Sequence, residues 1–484
     1  MRRRPPDEGL ASLAAREVVE LLRTGGTTVE ELVEVCALRR AAVDSVVAST
    51  PVECFDRARR HKASPSSVLC GLPVLVKATT PVAGLPHTEG FVGYKDRVAT
   101  SSAPIVEALE AAGGVACGLT NVPEFAAGAQ CFNGLFPTTG TPYDVRRTSG
   151  GSSGGSAAAL ASRQAWLATG SDLGGSLRTP AAFCGVCGFR TTPGVVGGLD
   201  PVVDLNSIDG PMARDVQDLG LFLDAIAPRA TSWRAVAEGG ARRRPTFTRT
   251  AFSTLGCPVH KDLVAVASRA ADALAGGAAT EKDDPWPIAT AKRCFYALRA
   301  EKFAVKFEAV PDHHLLKPEI QWNVRAADLG DADEARRLAR TVISPAVDDF
   351  FRDFDLLATP ATLDLPFDKN IRYPVHHYGA TLADAPFEDY CAWLAPTSLV
   401  SITRCPALVL PCGDVDGLPV GIQLVAAPGK DALLLEAAAA LEAILGLPFR
   451  FGLLDPVLET KAPFRGSGPT TPEEARAHHD RLVP

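Results

Sequence analysis

The 484-residue chain carries 49 Lys+Arg against 56 Asp+Glu, a formal net charge of −7, without the basic excess of a nucleic-acid binder. No run approaches the ~18 apolar residues of a membrane-spanning helix. Arg2-Arg3-Arg4 leads into Pro5-Pro6-Asp7-Glu8 rather than the apolar stretch of an export signal, so a soluble, cytoplasmic globular protein is expected.

In chain order, two helices are expected within residues 10–45. The first spans about Leu10 to Thr24 and stops at Gly25-Gly26. The second opens on Thr28-Val29-Glu30-Glu31, the spacing of a capping box. From about Val68, apolar runs such as Leu72-Pro73-Val74-Leu75-Val76 alternate with helical stretches such as Ala103 to Ala112. That alternation predicts an α/β fold with a largely buried sheet. Residues 236–246, with three consecutive arginines, read as an exposed connection. A single domain is expected to span residues 1–454. A polar tail over 455–484 follows, in which Thr471-Pro472-Glu473-Glu474 opens one short surface helix.

Twelve cysteines are scattered from Cys36 to Cys412, unlike a secreted disulfide scaffold. Cys184-Gly-Val-Cys187 has ligand-like spacing, but no second Cys or His pair completes a zinc site, and its surroundings are apolar. Both read as core residues, and no metal or organic cofactor is expected.

The chemistry is concentrated in Thr148 to Gly188, which holds two Gly/Ser clusters. The second, Ser171-Asp172-Leu173-Gly174-Gly175-Ser176, follows the apolar Ala165-Trp166-Leu167-Ala168. A buried strand that ends in a glycine turn exposes the side chain at its tip and lets backbone N–H groups converge on one point. Gly151-Ser152-Ser153-Gly154-Gly155 also fits the G-x-S-x-G elbow centred on Ser153. An elbow needs a buried strand before it and a histidine partner. Asp144 to Ser149 is no such strand, and the pairs His313-His314, His376-His377 and His478-His479 lie in polar contexts.

The segment around Ser152 and Ser176, continuing through Leu177-Arg178-Thr179-Pro180-Ala181-Ala182-Phe183-Cys184-Gly185, resembles the amidase signature family. Gly71-Leu72-Pro73-Val74-Leu75-Val76-Lys77 resembles its lysine strand, and Thr120-Asn121-Val122-Pro123-Glu124-Phe125 and Pro142-Tyr143-Asp144 its next landmarks. The segments from Cys405 to Gly413 and from Gly417 to Val425 resemble its closing strands. The likeness covers roughly residues 10–450, with the signature core at 68–190.

The resemblance implies an amidase-signature fold: a central mixed, twisted β-sheet covered by helices on both faces. It also implies a Ser–cis-Ser–Lys triad that cleaves a small carboxylic amide through an acyl-enzyme. Ser176 would be the nucleophile, Ser152 the bridge after a cis Gly151–Ser152 peptide, and Lys77 the base, with backbone N–H groups of Leu173, Gly174, Gly175 and Ser176 as the oxyanion hole. A lysine acts as base only when neutral, and desolvation on an apolar strand favours that form. Asp172 and Arg178 read as a structural pair that holds the loop. Ala78, Leu119 and Ser171 depart from the family's usual Asp, Lys and Thr.

The expected partner is a small amide substrate and, at most, a second copy of the chain in a homodimer. Two alternatives stand beside the amidase. One is the glutamine-hydrolysing subunit of a tRNA-dependent amidotransferase, which shares this signature. The other is a silent binding protein of the same fold. Lys317-Pro318-Glu319-Ile320-Gln321-Trp322-Asn323 and the Tyr390-Cys391-Ala392-Trp393 region look more like free-standing bacterial amidases that cleave linear or cyclic oligoamides.

Overall fold

The run Pro73-Val74-Leu75-Val76-Lys77 is buried at every position because it lies between two parallel neighbours inside one sheet. Strands covered on both faces read as continuous apolar runs instead of alternating ones. The computed structural model describes residues 6–61, 64–197, 207–243, 249–310, 312–325, 331–374, 376–377, 380–381 and 391–446.

Eleven strands make the main sheet. In chain order they are β1 (Val52–Glu53), β2 (Pro73–Lys77), β3 (Val115–Thr120), β4 (Leu167–Asp172), β5 (Cys187–Arg190), β6 (Ile208–Ala213), β7 (Thr250–Phe252), β8 (Thr280–Glu281), β9 (Leu356–Pro360), β10 (Ala407–Val415) and β11 (Leu418–Val425). Their spatial order is β1-β3-β2-β4-β6-β5-β10-β11-β9-β7-β8, with helices on both faces. Strands β3, β2 and β4 run parallel; β4, β6, β5, β10, β11 and β9 pair antiparallel in sequence. This is the expected mixed α/β sheet. Because β2, β3 and β4 are parallel, Lys77, Thr120 and Asp172 all lie at their C-terminal ends, on one edge of the sheet. Ligand sites of such sheets form outside that edge.

Two sequence expectations are corrected. The first helix is two, Pro6–Ser12 and Ala15–Thr24, with Ala14 extended between them. The break is stabilised from a distance: Ala15 N donates to Asp218 Oδ2 at 2.7 Å and Arg16 N to Asp218 Oδ1 at 3.1 Å, which caps a helix end that would otherwise leave its donors bare. The connection expected at 236–246 is helical through residue 243, as part of Trp233–Arg243. Its Gly240 allows the closest approach to Asp431–Leu445, since a Cβ there would lie 2.2 Å from the Glu436 carbonyl oxygen.

The Thr28 capping box forms as read, with Glu31 N on Thr28 Oγ1 at 3.1 Å and Thr28 N on Glu31 Oε2 at 3.0 Å. Among the described residues no helix is long and apolar enough to cross a membrane. The tail at 455–484 lies outside the described residues.

Candidate active site

Lys77, the last residue of β2, is fully buried. Its Nζ lies 2.8 Å from Ser152 Oγ, 2.9 Å from Ser171 Oγ and 3.3 Å from the Ser171 carbonyl oxygen. Among the described residues no carboxylate pairs with it. Burial disfavours the ammonium and pushes it down to about 8, against the opposing pull of Cys131, Asp209 and Asp172. Ser171, read from sequence only as a departure from a threonine, therefore keeps a hydroxyl on the lysine. A single sequence carries no signal for that contact beyond the hydroxyl itself.

Ser152 enters from the first Gly/Ser cluster, after a cis Gly151–Ser152 peptide. Gly151 packs on the backbone of a neighbouring loop, where a Cβ would come within 2.7 Å of Gln130 N. Cys131 Sγ donates to the Ser152 carbonyl at 3.4 Å, a support that no local pattern in the chain singles out. The two clusters are tied by Ser153 N, which donates to the Ser176 carbonyl at 3.1 Å. Ser153 itself is buried, and its Oγ lies 3.2 Å from Ser171 N and 3.3 Å from Ser171 O. The strand before it, Asp144–Thr148, belongs to a separate two-stranded ribbon and buries only Thr148. The elbow arrangement is not built here.

Ser176 stands half-buried at the tip of the turn after β4, and its hydroxyl takes no hydrogen bond among the described residues. The two glycines before it are required by close contacts. A Cβ at Gly174 would meet the Phe295 ring at 2.7 Å. One at Gly175, whose φ is +132°, would meet Thr397 Oγ1 at 2.0 Å.

Asp172 clamps the turn, with Oδ1 accepting from Gly175 N at 2.8 Å and Oδ2 from Leu177 N at 3.1 Å. It pairs with Arg178 through bonds of 2.8 and 2.9 Å, both side chains fully buried. Burial alone would raise the Asp172 carboxyl, but Arg178 and then Arg190 hold it well below the usual carboxylate range. The bond from Gly175 N involves one of the four N–H groups expected from sequence to form an oxyanion hole. The Gly175 N–H is spent on Asp172, while those of Leu173, Gly174 and Ser176 have no protein acceptor among the described residues.

Beside Lys77 opens a cavity of about 240 Å³, lined by Thr79, Ala103, Phe125, Ser171, Leu173 and Phe303 among others. It has room for a small organic molecule. Ala78 follows β2 in a turn and is buried, with its N–H on the Thr120 carbonyl at 3.1 Å. Leu119 is buried in β3 opposite Val52. Cys184 and Cys187 are core residues with free thiols. His313 and His314 sit in a one-turn helix without buried residues; His478 and His479 lie outside the described residues.

A family model described as Amidase matches residues 27–435. A glutamyl-tRNA(Gln) amidotransferase subunit of Anaeromyxobacter dehalogenans is 34% identical over 91% of this chain and 98% of its own length. Among solved structures, a bacterial aryl acylamidase of the amidase signature family superposes with a TM-score of 0.81 at 22% identity, covering 91% of this chain and 98% of that one. A 6-aminohexanoate cyclic dimer hydrolase in complex with its substrate gives 0.79 at 27% identity, covering 92% and 99%.

Proposed function

The chain belongs to the amidase signature family and is an amide hydrolase, and we propose that Lys77, Ser152 and Ser176 carry out its reaction as a proton relay ending in an acyl-enzyme. The observation that carries this reading is the buried 2.8 Å contact between Lys77 Nζ and Ser152 Oγ at the edge of the sheet where the Ser176 turn also ends.

A neutral lysine amine has two N–H donors and one lone pair. The Ser171 carbonyl and hydroxyl oxygens supply two acceptors, which leaves the lone pair to receive the Ser152 proton. In the forward step Ser176 Oγ attacks the substrate carbonyl carbon. Its proton passes to Ser152 Oγ as the Ser152 proton passes to Lys77 Nζ. The oxyanion of the tetrahedral intermediate accepts from the N–H groups of Leu173, Gly174 and Ser176, held in place by the Asp172–Arg178 clamp. As the carbon–nitrogen bond breaks, Ser152 returns a proton to the departing amine and recovers its own from Lys77. Water then attacks the ester under the same relay, giving the acid and free Ser176.

Fluorophosphonate labelling followed by peptide mass spectrometry tests this. The adduct is expected on Ser176 and is expected to form far more slowly in Lys77→Met. An adduct on Ser153, or labelling indifferent to Lys77, would sink the relay.

A second reading is favoured by the 34% identity to a protein of the tRNA-dependent amidotransferases: a glutamine-hydrolysing component of such a complex. It predicts partner proteins on purification and ammonia release from glutamine. The free-standing amidase predicts neither.

A further inference from the structure

Four charged side chains line the cavity beside the relay: Glu89, Asp209, Lys302 and Lys306. Glu89 is already paired, accepting from Arg97 at 2.8 Å and from Lys306. Lys306 is thereby engaged and also lies 4.9 Å from the centroid of the Phe125 ring. Asp209 differs: among the described residues its carboxylate receives no hydrogen bond and forms no ion pair.

The position of Asp209 is set by the sheet. In the register of β4 and β6 it stands directly opposite Ser171. Directly opposed residues of antiparallel strands project to the same face, with Cβ atoms about 5 Å apart. The Ser171 hydroxyl is 2.9 Å from Lys77 Nζ. Asp209 therefore faces the cavity within about one side-chain length of the relay. Burial raises its carboxyl, while Lys77 and Lys302 pull it back toward the ionised form.

Asp209 is partly open to solvent, so its carboxylate oxygens are left to water or to donors on a bound molecule. The neighbouring walls, Phe125, Leu173, Phe303 and Ala103, show that apolar side chains fit this cavity. A carboxylate is not needed to fill the space.

We propose that Asp209 is a specificity-determining residue that receives a cationic amino group of the substrate, so that the enzyme favours amides carrying a protonated amine. The proposal deepens the amide-hydrolase reading and rests on it. The competing role for Asp209 is electrostatic, raising the proton affinity of Lys77 without touching substrate.

Binding and turnover separate these roles. In a Ser176→Ala background, titration calorimetry with 5-aminopentanamide and its uncharged isostere hexanamide should show the amine-bearing amide bound roughly 10–100-fold more tightly, the range for a hydrogen bond to a charged group. The added isosteric change Asp209→Asn should abolish that preference and leave hexanamide binding nearly unchanged. Equal binding of the two amides, or a preference that survives Asp209→Asn, would overturn the proposal.

With Ser176 intact, Asp209→Asn should raise KM for the 4-nitroanilide of 5-aminopentanoic acid and spare that of hexanoic acid. An equal loss on both, with a displaced pH–rate profile, would assign Asp209 to Lys77 instead. Fluorophosphonate labelling of Ser176 in the Asp209→Asn protein keeps the two readings apart. A protein that labels at Ser176 but lacks the amine preference refutes Asp209 alone. One that never labels there refutes the relay.

Discussion

Lys77 and Lys317 are both nearly inaccessible, and burial pushes both down to about 8. What surrounds them differs. Lys77 meets two hydroxyls and a carbonyl, and one of those hydroxyls, Ser152, belongs to a Gly/Ser loop tied to the Ser176 turn. Lys317 donates to the Ala127 carbonyl and lies 4.9 Å from the Phe132 ring centroid. Its backbone N–H is held by Glu124 Oε1 at 2.9 Å, and the nearby Glu319 is paired bidentately with the buried Arg372. Glu319 and Glu124 both favour its charged form. Desolvation alone therefore does not make a base. In the proposed relay the lysine also needs a proton-bearing neighbour, and of these two only Lys77 has a hydroxyl partner among the described residues. Lys317 is fixed as a structural cation, although its segment is one of those whose sequence resembles free-standing amidases.

The largest expected contrast is between Lys77→Met and Lys317→Met. The first should lower kcat/KM by a factor on the order of 10²–10⁴, as for a lost proton relay, and Ser152→Ala should fall in the same range. Lys317→Met should keep kcat/KM of the folded protein within about one order of magnitude, since it reaches no reacting group. Comparable losses in the two lysine variants would erase the distinction. The melting curve gives an independent readout. Between about 8 and 10.5 the native Lys77 holds fewer protons than the unfolded one, so stability rises with pH across that window. Lys77→Met should flatten that rise and raise the melting temperature at pH 7.

Next in size is Glu319→Gln, which takes the carboxylate from a buried ion pair. Breaking such a pair destabilises by about 3–5 kcal/mol. Denaturant unfolding should register that loss, while the turnover of the remaining folded enzyme changes little. A stable but inactive Glu319→Gln protein would place this cluster in the chemistry.

The smallest effect sharpens the Lys77 side. A new carboxylate from Ala78→Asp, at a charge separation of about 7 Å and an effective dielectric near 20, favours the ammonium by roughly 2 kcal/mol. The acid limb of kcat/KM should then move up by about 1.5 pH units. The backbone here is already held, by Ala78 N on the Thr120 carbonyl and Thr80 N on the Lys77 carbonyl at 2.8 Å. A structural gain from the aspartate is therefore expected to be minor. An unmoved acid limb with a changed melting temperature would reverse that assignment.

Much of the site was legible because its signals are local. A continuous apolar run ending in Lys77 reads as a strand buried on both faces, and the structure makes it one. Glycines before Ser176 read as a turn needing close approach, and Phe295 and Thr397 occupy the space a side chain would need. The Thr28–Glu31 box closes on itself within one helical turn.

The rest depended on strand order and on contacts distant in sequence. Lys77 reaches Ser152 across 75 residues and Ser171 across 94. The break at Ala14 is capped by Asp218 from 203 residues away. Gly239-Gly240 reads as a loop until another helix packs on Gly240. Asp209 has no meaning until the β4–β6 register sets it opposite Ser171. Sequence by itself determined most of the elements, the Thr28 cap and the residue types able to do the chemistry, because periodicity and turn geometry act over a few residues. Only the tertiary structure decided which hydroxyls meet the desolvated lysine, which N–H groups of the Ser176 turn lack a protein acceptor, and which carboxylate faces the cavity beside Ser171. Those outcomes depend on how polar groups far apart in the chain satisfy one another once water is excluded.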